Sequence, residues 1–295
     1  MARIMITGIC GLIGRNLARA LVAKGHEVYG IDLVAASGLP ESVRYHQGDI
    51  ADPGLGLDML ASMEGVIHLA GVSRVSEARA NPELALKANV LGSTRLFQAV
   101  CHSARKPWIM LGSTREVDDL QRRGVFQSLQ DIYALSKLAM ESVASCYARE
   151  SKSSLLILRF SDVYGDPEDQ GKKLLPTFIR QAKAGLPLSI HGSSHGVNFY
   201  FTHIRDVTQA VVDGVNFLAA ASEPVHAIQR VWDAGSPTDS RGLAEMILSI
   251  SRSHAKIQNI SVTRGQSQTD PAIQELPFLP TVSIAAGIQE LLDNI

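Results

Sequence analysis

Cysteine and net charge are both scarce in this chain, and each scarcity excludes a class of protein. The 295 residues include three scattered cysteines, which excludes a disulfide framework and a thiolate metal site, so we expect a reducing compartment and no metal. The net charge of −1 shows no excess of positive charge of the kind that binds nucleic acid. No apolar run approaches the roughly 20 residues of a membrane span, and the apolar N-terminal run is too short for a signal peptide. We therefore expect a soluble cytoplasmic protein that binds neither nucleic acid nor membranes.

What the chain does have is an alternation of short apolar runs and helical stretches through its first 165 residues. The strand-like runs are Arg3–Thr7, Glu27–Ile31, Gly65–Leu69, Trp108–Leu111 and Leu155–Phe160. The helix-like stretches are Leu12–Ala23, Pro82–Ser103 and Ile132–Glu150. This alternation predicts an α/β fold, a Rossmann-type doubly wound parallel sheet over residues 1–165. Glycine, proline and serine then punctuate residues 166–295, which predicts a smaller α/β substrate lobe with some elements interleaved with the first domain.

A glycine loop follows the first predicted strand and opens the first predicted helix. It contains Gly8, Gly11 and Gly14, a spacing that lets the backbone approach a pyrophosphate at the positive end of a helix. Asp32 ends the next predicted strand, where a carboxylate accepts hydrogen bonds from ribose hydroxyls and repels a 2′-phosphate. Strand, loop, helix and acid together predict an NAD site rather than an NADP site.

Tyr133 and Lys137 lie four residues apart in a predicted helix, so their side chains share one face. A phenol normally titrates near ~10 and is a poor base at neutral pH. A neighbouring ammonium favours the phenolate and brings its pKa toward the working range. The same spacing also occurs on solvated helix faces, and the pair alone leaves both interpretations open.

With these motifs in place, the chain resembles the extended short-chain dehydrogenases/reductases, and more narrowly the NAD-dependent epimerase/dehydratase family that acts on nucleotide sugars. The resemblance runs through most of the chain. The matching segments are Gly48–Ile50, His68–Gly71, Asn89–Ser93, Ser113–Val117, Leu158–Gly165 and Phe201–Val207.

The resemblance implies a role for each matching residue. Tyr133 would take the proton of a sugar C4 hydroxyl, Lys137 would lower the pKa of that phenol, and Thr114 would share a hydrogen bond with the hydroxyl. The implied cofactor residues are Gly8, Gly11, Leu12, Ile13, Gly14, Asp32, Leu33, Asp49, Ile50, Leu69, Ala70, Gly71, Asn89, Ser113, Tyr133, Lys137, Phe160 and Val163. The implied substrate residues are Ser73, Thr114, Asp162 and Arg264. A homodimer through the helices around residues 82–103 and 132–150 is also expected from the resemblance.

The implied reaction modifies a nucleotide sugar through a 4-keto intermediate, most simply by 4-epimerisation. Glu116 leaves a dehydratase open, because relatives use a glutamate there in the second step. Asp162 stands where the family usually has Asn, and Phe199 where it usually has Arg, so a net reductase or dehydrogenase with a non-standard substrate also stays open. A regulatory NAD-binding protein without turnover is disfavoured, since a sensor needs no phenol base.

Overall fold

The computed structural model describes residues 1–124, 128–169, 173–191, 198–233, 237–260 and 277–294. They form two compact units. The first unit comprises the described parts of Met1–Phe160, Thr208–Arg230 and Ser267–Pro277. The second unit comprises the described parts of Ser161–Val207, Val231–Gln266 and Phe278–Ile295.

The strands are short and alternate with helices in the first unit. In chain order they are β1 (Arg3–Thr7), β2 (Glu27–Asp32), β3 (Arg44–Gln47), β4 (Gly65–His68), β5 (Trp108–Thr114), β6 (Leu155–Phe160), β7 (Asp162–Tyr164), β8 (Leu188–His191), β9 (Asn198–Phe199), β10 (Phe201–His203), β11 (His226–Val231), β12 (Thr238–Asp239) and β13 (Ile257–Ile260).

The helices follow the same chain order. They are α1 (Leu12–Ala23), α2 (Val75–Ala80), α3 (Pro82–Leu86), α4 (Ser93–His102), α5 (Glu116–Arg123), α6 (Ile132–Ser151), α7 (Leu174–Lys183), α8 (Ile204–Ala220), α9 (Ser240–Ser251) and α10 (Ile284–Asn294). Short 3₁₀ turns occupy Asp58–Ser62 and Leu129–Asp131, and a π-helical turn occupies Lys87–Gly92.

Seven strands form the central sheet, in the order β11-β6-β5-β4-β1-β2-β3. The strands from β3 to β6 pair in parallel, with Met5 opposite Val66 and Met110 opposite Leu156. Every residue of β5 and β6 is buried, as expected for strands that helices cover on both faces. The predicted Rossmann-type sheet is therefore confirmed. The chain passes from β1 to β2 on one side and to β4 on the other, which creates the crevice where such sheets bind ligands.

The structure divides one predicted helix and contains elements that were not predicted. The stretch Pro82–Ser103, predicted as one helix, is divided into α3, the π-helical turn and α4. Asn81 begins α3 because its side chain accepts a hydrogen bond from Leu84 N at 3.0 Å. Helix α5 was not predicted, since only Val117 and Leu120 form its apolar face in an otherwise charged segment. Its three acidic residues lie in the first turn and its two arginines in the last, which suits the helix dipole.

The second unit has an apolar core of its own. Helices α7, α9 and α10 pack there with β8, and fully buried side chains include Phe178, Ile179 and Ile288. The Asp206 carboxylate accepts hydrogen bonds from the Thr281 and Val282 N–H groups at 3.1 and 3.0 Å. These bonds fix the segment that leads into α10.

Candidate active site

The glycine loop joins β1 to α1 at the carboxyl edge of the sheet. Within the described part of the chain, α1 has no side-chain cap and no acidic residue in its first turn, so its first N–H groups are available for an anion. Gly14 lets the helix approach the loop closely, since a Cβ there would lie 2.7 Å from the Ile9 Cα. Leu12 and Ile13 belong to the same first turn. This cradle fits a pyrophosphate.

Asp32 ends β2 beside the glycine loop. Its Oδ2 accepts a hydrogen bond from the Cys10 N–H at 2.8 Å, and its Oδ1 accepts one from the Val34 N–H at 3.4 Å. The carboxylate thus holds the loop against the strand end. The neighbouring Leu33 is 62% exposed, which leaves an apolar side chain open for a flat ligand surface.

Asp49 and Ile50 follow β3 along the same edge. The Asp49 carboxylate accepts the Ala51 N–H at 2.8 Å and lies 3.4 Å from the Lys87 Nζ. Ile50 is buried. Leu69 and Ala70 come directly after β4 and hydrogen-bond to Thr7, at 3.0 Å to its carbonyl and 3.3 Å to its hydroxyl.

Asn89 is buried in the π-helical turn and faces Gly71. Its Nδ2 donates to the Val72 carbonyl at 3.1 Å and to the Ser136 hydroxyl at 2.9 Å, whereas its Oδ1 accepts no hydrogen bond from the described residues. A Cβ at Gly71 would collide with this Oδ1 and lie 3.7 Å from the Lys137 Nζ. The Asn89 Oδ1 is thus a buried acceptor beside the Lys137 ammonium and the backbone of Gly71. It suits a ligand that can donate a hydroxyl hydrogen bond, such as a ribose.

Tyr133 and Lys137 are both buried on α6, one turn apart. Lys137 Nζ donates to the Gly112 carbonyl at 3.3 Å. Burial lowers the pKa of Lys137 to about 8, against the opposing effect of the Glu141 carboxylate. Lys137 is therefore protonated at neutral pH but close to its titration point. Burial of both side chains excludes the solvated helix face that the sequence left open.

Ser113 and Thr114 end β5 next to α6. The Ser113 hydroxyl donates to Glu141 Oε1 at 2.5 Å, so its only proton is already used within the protein. Thr114 is buried, and its hydroxyl accepts the Glu116 N–H at 3.3 Å. The Arg115 N–H bonds the Phe160 carbonyl at 2.8 Å, which fixes this strand end against β6.

Glu116 begins α5 directly after that strand end. Its side chain is 39% exposed and lies 3.6 Å from the Arg115 guanidinium. Arg115 also pairs with Asp119, so its guanidinium is shared between two carboxylates.

The remaining predicted residues are placed in different parts of the chain. Ser73 is exposed in the segment before α2. In the second unit, Val163 is buried in β7, and the Asp162 carboxylate accepts the Tyr200 N–H at 3.3 Å. Phe199 stacks on Phe201, with ring centroids 5.5 Å apart. Arg264 lies outside the described residues.

The sequence analysis did not identify Glu141, nor the two arginines that bond to Asp118, Arg159 and Arg230. The signals were present: Glu141 continues the i, i+4 spacing of Tyr133 and Lys137, and Arg159 interrupts an otherwise apolar strand, which requires a buried acidic partner. His68 was also missed as a buried polar group, hydrogen-bonded to the Thr7 hydroxyl at 2.6 Å.

Two negative findings concern the described residues. None of their helices combines the length and the apolar character that crossing a bilayer requires. No group of three or more His, Cys, Asp or Glu side chains among them is arranged to hold a metal ion.

Comparison with known proteins gives a consistent set of matches. The model of the NAD dependent epimerase/dehydratase family matches residues 4–224. The chain is 28% identical over 323 aligned positions to UDP-glucuronate 4-epimerase 3 of Arabidopsis thaliana, covering 97% of this chain and 75% of that protein. It is 24% identical to dTDP-glucose 4,6-dehydratase of Streptomyces niveus, covering 99% and 92% of the two chains.

Solved structures share the fold. The UDP-glucuronic acid 4-epimerase from Bacillus cereus, in complex with UDP-glucuronic acid and NAD, superposes with a TM-score of 0.82 at 21% identity, covering 99% of this chain and 98% of that one.

Proposed function

Because the chain belongs to the NAD-dependent epimerase/dehydratase family, we propose that it inverts the configuration at C4 of a nucleotide-linked sugar. The observation that carries the proposal is the buried pair of Tyr133 and Lys137, one turn apart on α6, with Thr114 at the neighbouring end of β5. NAD, when bound, supplies the acceptor and donor of the hydride at C4.

The cofactor would be held by groups along the carboxyl edge of the sheet. The N–H groups at the start of α1 suit the pyrophosphate, Asp32 suits the adenosine ribose hydroxyls, and the Asn89 Oδ1 suits a ribose hydroxyl beside Lys137. Leu33 and Asp49 are proposed cofactor residues at the same edge, whereas the Ser113 hydroxyl donates to Glu141.

The chain's own groups would handle the proton. The Tyr133 oxygen accepts the proton of the C4 hydroxyl, and the charge of Lys137 favours the phenolate that must receive it. The Thr114 hydroxyl hydrogen-bonds the same oxygen of the sugar and fixes it in position. Tyr133 returns the proton when the sugar presents its opposite face.

We assign the substrate class as a nucleoside diphosphate hexose or hexuronic acid. Relatives named UDP-glucuronate 4-epimerase support this class. Residues 166–295 are proposed to recognise the substrate through Arg264, and the other proposed substrate residues are Asp162, Thr114 and Ser73.

A dehydratase is the second candidate, and Glu116 favours it. Its half-exposed carboxylate follows Thr114 by two residues, which suits a group that removes a second proton from the sugar. The dTDP-glucose 4,6-dehydratases among the relatives support this alternative.

We further propose a cytoplasmic homodimer. Free thiols at Cys10, Cys101 and Cys146 support a reducing compartment. Leu135 and Leu138 are only half-buried on α6, and Leu91 is 44% exposed in the preceding π-helical turn. These apolar side chains suit a helix-to-helix interface between two copies.

The test is product analysis on purified protein with NAD. Incubation with UDP-glucuronic acid, UDP-glucose and dTDP-glucose should give a C4 epimer of one of them without net NADH formation. Tyr133→Phe should lower kcat by at least ~100-fold, the usual scale for a general base, while NAD binding persists.

The outcomes separate the candidates. A 4-keto-6-deoxy product that disappears in Glu116→Gln identifies the dehydratase. Stoichiometric NADH identifies a net dehydrogenase, and full turnover by Tyr133→Phe refutes the proposed base.

A further inference from the structure

A chain of buried ionic groups lies directly behind the proposed catalytic pair. Ser113 donates to Glu141 at 2.5 Å, and Arg159 donates to both oxygens of Glu141, at 3.0 and 2.6 Å. The same Arg159 reaches Asp118 Oδ1 at 2.8 Å, and Arg230 reaches that oxygen at 2.7 Å. We call these five residues the ionic chain.

The ionic chain is balanced in charge, and all its charged members except Arg230, whose side chain is 31% exposed, are withdrawn from water. Asp118, Glu141 and Arg159 each expose less than a tenth of their side chains. Burial disfavours the charge of Arg159, but its hydrogen bonds to Glu141 and the charges of Glu141 and Asp118 together raise its pKa above the ordinary value. Two carboxylates and two guanidinium groups neutralise one another.

Stability alone does not account for such an arrangement. Replacement of a buried ion pair by apolar residues of similar volume is often neutral or stabilising, because desolvation offsets the attraction. In addition, Asp118 Oδ2 is buried and accepts no hydrogen bond from the part of the chain that the structure describes. A buried group that is only partly satisfied invites a functional explanation.

Three members of the ionic chain adjoin residues of the proposed mechanism. Ser113 precedes Thr114 on β5. Glu141 lies one helical turn beyond Lys137, on the same face of α6. Asp118 lies on α5, two residues after Glu116. The ionic chain therefore joins the strand end and both helices that carry the proposed acid–base groups.

We propose that Glu141 is a positioning residue for the reaction: held by Arg159, which Asp118 holds in turn, it fixes the Ser113 end of β5 and maintains the positive charge of Lys137. The role rests on the proposed function of Tyr133 and Lys137. Glu141 acts through these neighbours and has no direct part in the chemistry.

The charge of Lys137 depends on few neighbours among the described residues. Glu141 attracts the ammonium from the same helix and opposes the lowering of its pKa by burial. His68 approaches from β4 and is neutral, because burial and then Lys137 lower its pKa to about 3. Tyr133 lies one turn away. Neutralising Glu141 removes the attractive charge, so the Lys137 ammonium loses its proton at lower pH.

The first experiment measures this titration without turnover. Protein labelled with [13Cε]lysine is titrated by NMR, and the Lys137 resonance is assigned by its loss in Lys137→Met. In Glu141→Gln the midpoint should fall by about one pH unit, the scale of losing one nearby opposite charge. It should be unchanged in Glu245→Gln, a control at an exposed glutamate of α9. An unchanged midpoint in Glu141→Gln overturns the proposal.

The second experiment uses the substrate found for the wild-type protein. Glu141→Gln should lower kcat at pH 8 by about fivefold, because a one-unit fall of the Lys137 midpoint lowers the protonated fraction from about one half to about one tenth, with KM changed less than about threefold. Glu141→Asp keeps the charge and should restore the Lys137 midpoint. Equal losses of kcat and of thermal stability in both variants, with no shift in midpoint, would reduce Glu141 to a structural residue.

Two further arms keep the outcomes separate. If Glu141→Gln fails to fold, Ser113→Ala tests the link to β5: losing this buried hydrogen bond should lower the melting temperature slightly and kcat about tenfold, the scale of a hydrogen bond to a charged group. Unchanged kcat overturns the link. If the wild-type protein turns over none of the sugars, the proposed function fails, whereas the NMR titration still tests the coupling between Glu141 and Lys137.

Discussion

Replacing Lys137 by methionine should make the protein more stable and inactive. The Lys137 pKa falls from 10.5 to about 8 in the folded protein, and each pH unit of lowering corresponds to about 1.4 kcal/mol. Keeping this lysine charged at pH 7 therefore costs the folded state about 3 kcal/mol. Methionine preserves the apolar stem but loses the hydrogen bond to the Gly112 carbonyl, worth about 1 kcal/mol. The expected net gain for Lys137→Met is about 2 kcal/mol at pH 7.

The direction of the pH dependence follows from the folded and unfolded pKa values of Lys137. The folded-state pKa lies below the unfolded value, so the unfolded chain binds more protons between pH 8 and 10.5. The free energy of unfolding of the wild-type protein should therefore rise through this window relative to that of Lys137→Met. The advantage of the variant should be full below pH 8 and should shrink as the pH approaches 10.

Urea unfolding provides the measurement. The chain has two tryptophans, and Trp108 is buried in β5 of the unit that contains Lys137. In a Trp232→Phe background the fluorescence comes from Trp108 alone and reports the unfolding of that unit. Lys24→Met, at an exposed lysine after α1, is the control and should show no such difference. A less stable Lys137→Met at pH 7, or a difference that stays constant to pH 10, would refute the reasoning.

Two other predictions concern groups on either side of the catalytic pair. His68 is held between the hydroxyls of Thr7 and Ser93, and burial followed by the charge of Lys137 lowers its pKa to about 3. The unfolded chain therefore protonates His68 more readily than the folded protein does. Between pH 7 and 5 the free energy of unfolding of the wild-type protein should fall by about 2 kcal/mol, a loss that His68→Gln should not show. A His68 NMR resonance that titrates near 6 would contradict this prediction. Asp32→Ala should weaken NAD binding about tenfold, the scale of hydrogen bonds to a charged group, and should reduce the preference for NAD over NADP in calorimetry. An unchanged ratio of the two affinities would show that another group sets the preference.

The sheet and the family were predictable because their signals are local. The glycine loop, the acid at the end of β2 and the alternation of apolar runs with helices depend on residues close in sequence. Each is placed by short-range geometry that any parallel sheet repeats. The predicted fold, family and NAD cofactor are confirmed.

The environment of the catalytic pair was not predictable in the same way. Arg159 and Arg230 meet Asp118 from positions 41 and 112 residues away along the chain. Contacts between residues so far apart produce no periodic pattern in the sequence, and these groups come together only when the sheet folds. The two arginine partners of Asp118 could be identified only from the three-dimensional structure.

The roles of the individual site residues stay predictions. The Ser113 hydroxyl donates its proton to Glu141, which leaves Thr114 as the neighbouring hydroxyl that we propose donates to the sugar. It also ties the Asp162 carboxylate to the Tyr200 backbone, so part of its charge is already compensated.

The π-helical turn at Lys87–Gly92 has a consequence for the phase of the helical segment around it. An α-helix rotates by about 100° per residue, and a π turn accommodates one more residue per turn. Residues after Gly92 are therefore rotated relative to an uninterrupted helix. That offset lets Asn89 point toward Val72 and Ser136, while Leu96, Phe97 and Val100 of α4 remain buried in the sheet core. Deleting one residue from the turn would rotate Asn89 and the buried residues of α4 relative to each other, so both could no longer keep their contacts. We therefore expect this segment to tolerate substitution more readily than deletion.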